Sequence, residues 1–229
     1  MRKLYCFLLV IILAALLFMG FAGFEEVEME LSNYYVENAV TDTGAINLVT
    51  AILFDYRAFD TLGEATVIFT AASAVAFLAP KKETGLLIDG FSVIVRQSIN
   101  FAIPFIFVAG GYFIVFGHLS PGGGFTGGVI LAVISILWTV TFDFEHSESR
   151  LNLESKSLIE DLGALAFIII GIMGIVAGAN FLANSQASFY LGTPGKIFSG
   201  GIVPFLNIAI GAKVGAGLAI IFNSLVEGE

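Results

Sequence analysis

Residues 117–128 read Gly117-His118-Leu119-Ser120-Pro121-Gly122-Gly123-Gly124-Phe125-Thr126-Gly127-Gly128, and they join two uncharged apolar runs, 101–117 and 125–142. Gly117 can end the first helix, Pro121 fixes a turn, and the glycines reach backbone conformations closed to other residues. Gly123 with Gly127, and Gly124 with Gly128, repeat small residues at the four-residue spacing that lets helices touch. The pattern predicts two helices joined by a very tight connection. A phosphate-cradling loop is set aside, because Val129-Ile130 stands where the Lys-Ser/Thr of a P-loop would follow.

Outward from this turn the chain stays apolar. Of its 229 residues 57% are hydrophobic and only 13% charged, where a soluble domain carries about a quarter charged. Mean hydropathy is +0.93. A membrane-crossing helix needs roughly 20 apolar residues to cover about 30 Å of hydrocarbon. Runs 4–24, 62–79, 101–117, 162–183 and 201–226 meet that length clearly or nearly, and 125–142 is slightly short but uncharged before Asp143. The run 44–54 is much shorter and is followed by Asp55, Arg57 and Asp60, so it predicts a re-entrant, interfacial or protein-buried helix. The fold class expected is all-α: a polytopic transmembrane helical protein of about six spans plus one short re-entrant or interfacial helix.

Arg2-Lys3 and Gly20-Phe21-Ala22 imitate a signal peptide, but the apolar run between them is longer than an h-region, so a retained first helix is expected. With the N-terminus inside, Arg2, Lys3, Lys81, Lys82, Arg96, Arg150 and Lys156 fall on the inner side and only Arg57 and Lys196 on the outer. That bias predicts both termini cytoplasmic, in the plasma membrane of a prokaryote once the resemblance below is added. The outer loop after the first helix is then acidic, with Glu25, Glu26, Glu28, Glu30, Glu37 and Asp42; it reads as a solvated face or as an attractor of cations. The net charge of −9 argues against nucleic acid, and the single Cys6 cannot form an internal disulfide. A polar, basic stretch, Pro80-Lys81-Lys82-Glu83-Thr84-Gly85, separates two hydrophobic blocks, giving a division into 1–80 and 81–229. Two spans followed by four do not look like an inverted repeat, which weighs against a free-standing transporter.

The glycine-rich string resembles the GHxSPGGGFxGG hallmark of the MnhB- or MrpB-like subunits of Mrp-type sodium/proton antiporters, and the resemblance runs through about residues 86–229. Upstream, Asn47-Leu48-Val49-Thr50-Ala51-Ile52-Leu53-Phe54-Asp55-Tyr56-Arg57-Ala58-Phe59-Asp60-Thr61-Leu62-Gly63-Glu64 resembles the VNxILVDFRxxDTLGE signature near the C-terminal end of MrpA-type subunits. The chain looks like a fusion: a two-span MrpA-like segment, 1–80, and a four-span MrpB-like domain, 81–229. Stand-alone MrpB-type subunits carry FDxGV in the last helix. Here Asn207-Ile208-Ala209-Ile210-Gly211-Ala212-Lys213-Val214-Gly215 is similar to the form found with archaeal membrane-bound hydrogenase and sulfane sulfur reductase, and the acidic residue is absent. The resemblance implies a non-catalytic membrane subunit of a module exporting Na+ against H+ inflow, within a larger respiratory complex. It implies partners of the A, C, D, E, F and G types, hydrogenase-like or sulfur-reductase subunits, and the lipid bilayer.

Ion-path candidates are Lys213, Glu64, His118, Asp55 and Asp60. Lys213 falls near the middle of its helix, where a charged lysine costs on the order of 3 kcal/mol. Either an ion pair fixes subunit packing there, or Lys213 works in a relay with a carboxylate on a neighbouring subunit, a role that requires a side chain able to release its proton. Glu64 either completes a capping box with Thr61 or, by the family signature, lies in the ion path. Asp55, Arg57 and Asp60 also read as a salt-linked turn. His118 can pass protons or simply hydrogen-bond a helix end. Asn180 and Asn207 read as interhelical hydrogen bonds, Gly174, Gly178, Gly211 and Gly215 as packing surfaces, and His146 as solvated. Pro121, Gly122, Gly123, Gly124, Gly127 and Gly128 form the structural motif. No metal cluster, nucleophile triad or redox-cofactor motif is present, so neither metal nor cofactor is expected. The rival readings are a purely structural linker that shapes the membrane arm and an independent small-solute transporter.

Overall fold

The computed structural model describes residues 30–78 and 91–227, with scattered helical positions between 7 and 19. Much of the expected first span, Cys6, Glu25, Glu26, Glu28 and the basic stretch at Lys81-Lys82 lie outside the described residues. Residues 1–34 form one compact unit and residues 35–229 another. Among the described residues all regular structure is helical.

The stretch expected as an acidic loop is in part helix α1 (Glu30–Thr43). Gly44 ends it with φ +71°, and a Cβ there would stand 2.8 Å from the Leu191 carbonyl oxygen. The short helix expected at 44–54 begins later. Asn47 caps α2 (Leu48–Ala51), its Oδ1 accepting from Val49 N at 3.1 Å. The chain then passes through a π-helical turn, Ile52–Tyr56, and Arg57 into α3 (Ala58–Leu78). The short helix is therefore joined to the next one by a bulge. Asp55 sits in that bulge.

Four helices follow on the pattern of the apolar runs: α4 (Val93–Val115), α5 (Gly124–Thr141), α7 (Leu153–Val176) and α8 (Val203–Glu227), with the short α6 (Phe144–Arg150) before α7. All four are long and apolar enough to cross a membrane. α3, of 21 residues, has the length as well, about 31 Å at 1.5 Å per residue. α7 differs most from expectation, starting at Leu153 rather than 162. Asn152 caps it there, Oδ1 accepting from Ser155 N at 2.8 Å, and Lys156 and Glu160 in its first turns are buried instead of lying in a loop.

α8 is the central helix, with α3, α5 and α7 packed around it. Val203, Leu206 and Ile210 are fully buried. In lipid there is little hydrophobic gain from helix association, so close backbone approach has to supply the contact energy. The sequence provides it with missing side chains. A Cβ on Gly124 would stand 2.5 Å from the Asn207 carbonyl oxygen, and one on Gly128 2.9 Å from that of Gly211. On the other side, a Cβ on Gly163 of α7 would stand 2.6 Å from the Ala209 carbonyl oxygen. Gly178 departs from expectation: nothing lies near it, and its φ of +82° follows the end of α7. α4 leans mainly on α5 and leaves Phe101, Phe105, Phe107 and Val108 exposed.

Candidate functional site: charges buried between α7 and α8

Lys213 points into protein. Its Nζ donates to Glu160 Oε1 at 3.1 Å, and each residue is only 4% exposed. The ammonium also stands 5.0 Å from the centre of the Phe69 ring on α3, a cation–π contact that favours the charge by about 0.5–2 kcal/mol. The carboxylate expected on a neighbouring subunit is thus in the same chain. Gly163, one turn beyond Glu160, lets α7 and α8 approach closely at this level: its Cβ would stand 2.9 Å from Lys213 N.

Glu160 is missing from the sequence-based candidates because hydropathy assigns its turn of helix to a loop. Lys156 and Glu148 are missing for the same reason. Lys156 is fully buried and ion-paired to Glu148, which also accepts from Asn223 Nδ2 at 3.0 Å. The available signal is the opposite charge at Lys156 and Glu160, an i,i+4 pair that marks one face of a helix.

The glycine-rich turn lies at the other end of the bundle. Asn47 Nδ2 donates to the carbonyls of Gly117 (2.7 Å) and Ser120 (2.9 Å), and Thr50 Oγ1 donates to Gly117 O at 2.7 Å. Gly124 N donates to Asn207 Oδ1 at 2.7 Å. Gly122 and Gly123 have φ of +143° and +110°, which side chains resist. Pro121 is exposed, and Gly127 lies against α4, where its Cβ would stand 2.7 Å from the Gly110 carbonyl oxygen. His118 is fully buried here, its carbonyl accepting from Ile46 N and Asn47 N. Neither ring nitrogen has a partner of good geometry. Burial pushes its imidazole below the ordinary value of 6.5, partly offset by main-chain groups of Ile197, Lys196 and Val115 beside the ring.

Asp55 lines a recess of about 340 Å³ with Arg57, Asn180 and Gln186. Its Oδ2 accepts from Asn184 Nδ2 at 2.7 Å. Burial raises its carboxyl to about 6, against the lowering effect of Asn184 and with the help of the Asp42 charge. Asp60 pairs with Arg57 on the surface. Glu64 is exposed on α3. The capping box does not form, since α3 already begins at Ala58 and the Thr61 hydroxyl donates to Leu53 O. The five candidates therefore do not converge: Lys213 sits with Glu160, while His118 and the Asp55–Asp60 turn lie toward the glycine-rich end. His146, expected to be solvated, stacks on Phe142 at 4.5 Å. Among the described residues no group of three His, Cys, Asp or Glu side chains could hold a metal ion.

Comparison with known proteins agrees with this architecture. The family described as "Domain related to MnhB subunit of Na+/H+ antiporter" matches residues 94–220, and the family MbhE, the E-type component of MBH, matches residues 1–81. An uncharacterised protein of Methanocaldococcus jannaschii is 34% identical over 76% of this chain and 74% of its own. A putative antiporter subunit mnhB2 of Staphylococcus haemolyticus is 30% identical over 45% of this chain and 74% of its own. A chain of the membrane-bound sulfane sulfur reductase, an archaeal respiratory membrane complex, superposes with TM-score 0.75 at 32% identity, covering 98% of both chains. A chain of the Mrp complex from Dietzia sp. DQ12-45-1b superposes with TM-score 0.70 at 24% identity, over 98% of this chain and 26% of its own, and shares the fold. The chain belongs to the family of domains related to the MnhB subunit of Na+/H+ antiporters, and it is a multi-pass membrane subunit of an Mrp-like module.

Proposed function

We propose that this subunit serves a module that exports Na+ against inflowing protons, and that Lys213 and Glu160 lie on its proton path. The observation that carries the reading is the 3.1 Å ammonium–carboxylate contact buried between two membrane-length helices. Intramembrane charges of this kind are costly and mark proton and ion routes. The kinship with a Na+/H+ antiporter component and with a respiratory membrane complex supports the assignment. The chain is non-catalytic and works beside other Mrp-like subunits and sulfur-reductase or hydrogenase-like subunits. It lies in a prokaryotic plasma membrane with both termini cytoplasmic, and it divides near residue 80 into an MrpA-like and an MrpB-like part. His118, Asp55, Asp60 and Glu64 are further candidates on the ion path, and the glycine-rich turn is its scaffold.

The rival reading, a structural linker, draws on the same contact: Lys213 is held by both Glu160 and Phe69, as a packing clamp would be. Lys213→Arg separates the two. Arginine keeps the ion pair but does not release its proton. In inverted vesicles containing the whole complex, a relay predicts loss of sodium-driven proton movement with assembly intact, and a clamp predicts normal movement.

A further inference from the structure

A second buried charge pair lies where α6 meets α7 and α8. Lys156, fully buried, donates to Glu148 Oε1, and the same oxygen accepts from Asn223 Nδ2 at 3.0 Å. Glu148 Oε2 accepts from Leu153 N at 2.7 Å. Asn223 Oδ1 accepts from Thr139 Oγ1 of α5 at 3.2 Å. Of the pair, only Glu148 meets solvent: its side chain is 21% exposed, while that of Lys156 is 0%.

This pair is in line with the first. Lys156 and Glu160 are both buried and stand one turn apart on α7, where i,i+4 side chains are neighbours with Cβ atoms about 6 Å apart. On the facing helix the position beside Glu160 is Gly217, whose Cβ would stand 3.0 Å from Glu160 Oε1. The carboxylate thus has a space next to it that any larger residue would fill. From the surface inward the order is Glu148, Lys156, Glu160, Lys213, alternating acid and base. A clamp for α6 would need only the first two, and burying Glu160 and Lys213 behind them adds desolvation cost without adding to that clamp.

We propose that Glu148 is the aqueous outlet, on the cytoplasmic side, of a proton route running from Lys213 through Glu160 and Lys156. This rests on the reading of Lys213–Glu160 as a proton path. The Lys156 ammonium passes a proton to the Glu148 carboxylate, which releases it to water. The Lys213 ammonium then passes a proton to the Glu160 carboxylate, and Glu160 hands it to the Lys156 amine. One proton has moved from Lys213 to solvent, and Glu148, Lys156 and Glu160 are back in their starting states.

The test is sodium-driven proton movement, followed with a pH-sensitive dye in inverted vesicles carrying the complete complex, with subunit composition checked in parallel. Lys156→Arg keeps the charge and the pair with Glu148 but does not release its proton. It should assemble and slow proton movement at least about tenfold, the low end of what a positioned proton-transfer group contributes. Glu148→Gln should do the same. Wild-type rates in both intact variants, with Lys213→Ala blocked, would overturn the outlet while leaving the Lys213 path standing. Wild-type rates in all three would remove the path itself. Disassembly of both Lys156→Arg and Glu148→Gln would assign the pair to a structural clamp and overturn the proposal.

Discussion

Lys213 Nζ lies 3.1 Å from Glu160 Oε1, and the two side chains close against each other from helices far apart in sequence. In a buried pair the loss of one partner costs more than the pair itself contributes, because the other charge is stranded. Lys213→Met alone and Glu160→Gln alone should therefore each lower the thermal stability of the detergent-purified complex. The double variant should recover part of the loss, with a coupling of about 1–3 kcal/mol. Additive losses would show that the two residues do not interact.

The close contact of α5 with α8 makes an asymmetric prediction about glycines. Gly128→Ala would put a methyl 2.9 Å from the Gly211 carbonyl oxygen, so it should loosen or abolish assembly. Gly111→Ala, where nothing lies within 4 Å, should be tolerated and could add up to about 1 kcal/mol from helix propensity. Size-exclusion profiles of the two variants check this. An intact Gly128→Ala complex of normal stability would refute the backbone-contact account.

Asp55 gives a pH dependence with a defined sign. Its carboxyl is raised from 3.8 to about 6 by burial, so the folded state holds the proton more tightly than the unfolded chain. The stabilisation is complete below pH 3.8 and is lost as pH rises through about 6. At 1.36 kcal/mol per unit the full swing is at most about 3 kcal/mol, and partial exposure reduces it further. Melting temperatures between pH 4 and pH 7 should fall in the wild type and fall less in Asp55→Asn. Parallel curves would show that Asp55 does not titrate in this window.

The number and type of helices are legible because their signal is length and composition: the runs at 101–117, 125–142 and 201–226 correspond to α4, α5 and α8 within a few residues at most ends. The glycine-rich turn is legible because its residues have few other uses. The polar ends of helices are not. Hydropathy treats Lys156 and Glu160 as loop, since it cannot know that Glu148 and Lys213 neutralise them across α6 and α8. The same blindness makes Thr61 look like a cap when its hydroxyl in fact bonds to Leu53 O, across a π-turn that no local pattern announces.

The remaining cations predict an orientation. Arg96, at the start of α4, and Lys156, at the start of α7, share the end of the bundle away from the glycine-rich turn, whereas Lys196 belongs to the connection between α7 and α8. With the positive side inward, a cysteine at Thr193 should be labelled from outside intact cells, and one at Glu154 only after the membrane is permeabilised. Both positions are exposed. The opposite labelling pattern would invert the topology.

The central claim is that Lys213 carries protons, and the direct measurement is sodium-dependent proton movement by Lys213→Ala complexes in inverted vesicles, with assembly verified on the same membranes. Removing the ammonium breaks the path at its innermost described group, so the account predicts a fall of at least about tenfold in an assembled complex. Wild-type proton movement by an intact Lys213→Ala complex would contradict it and leave the buried pair as a packing element.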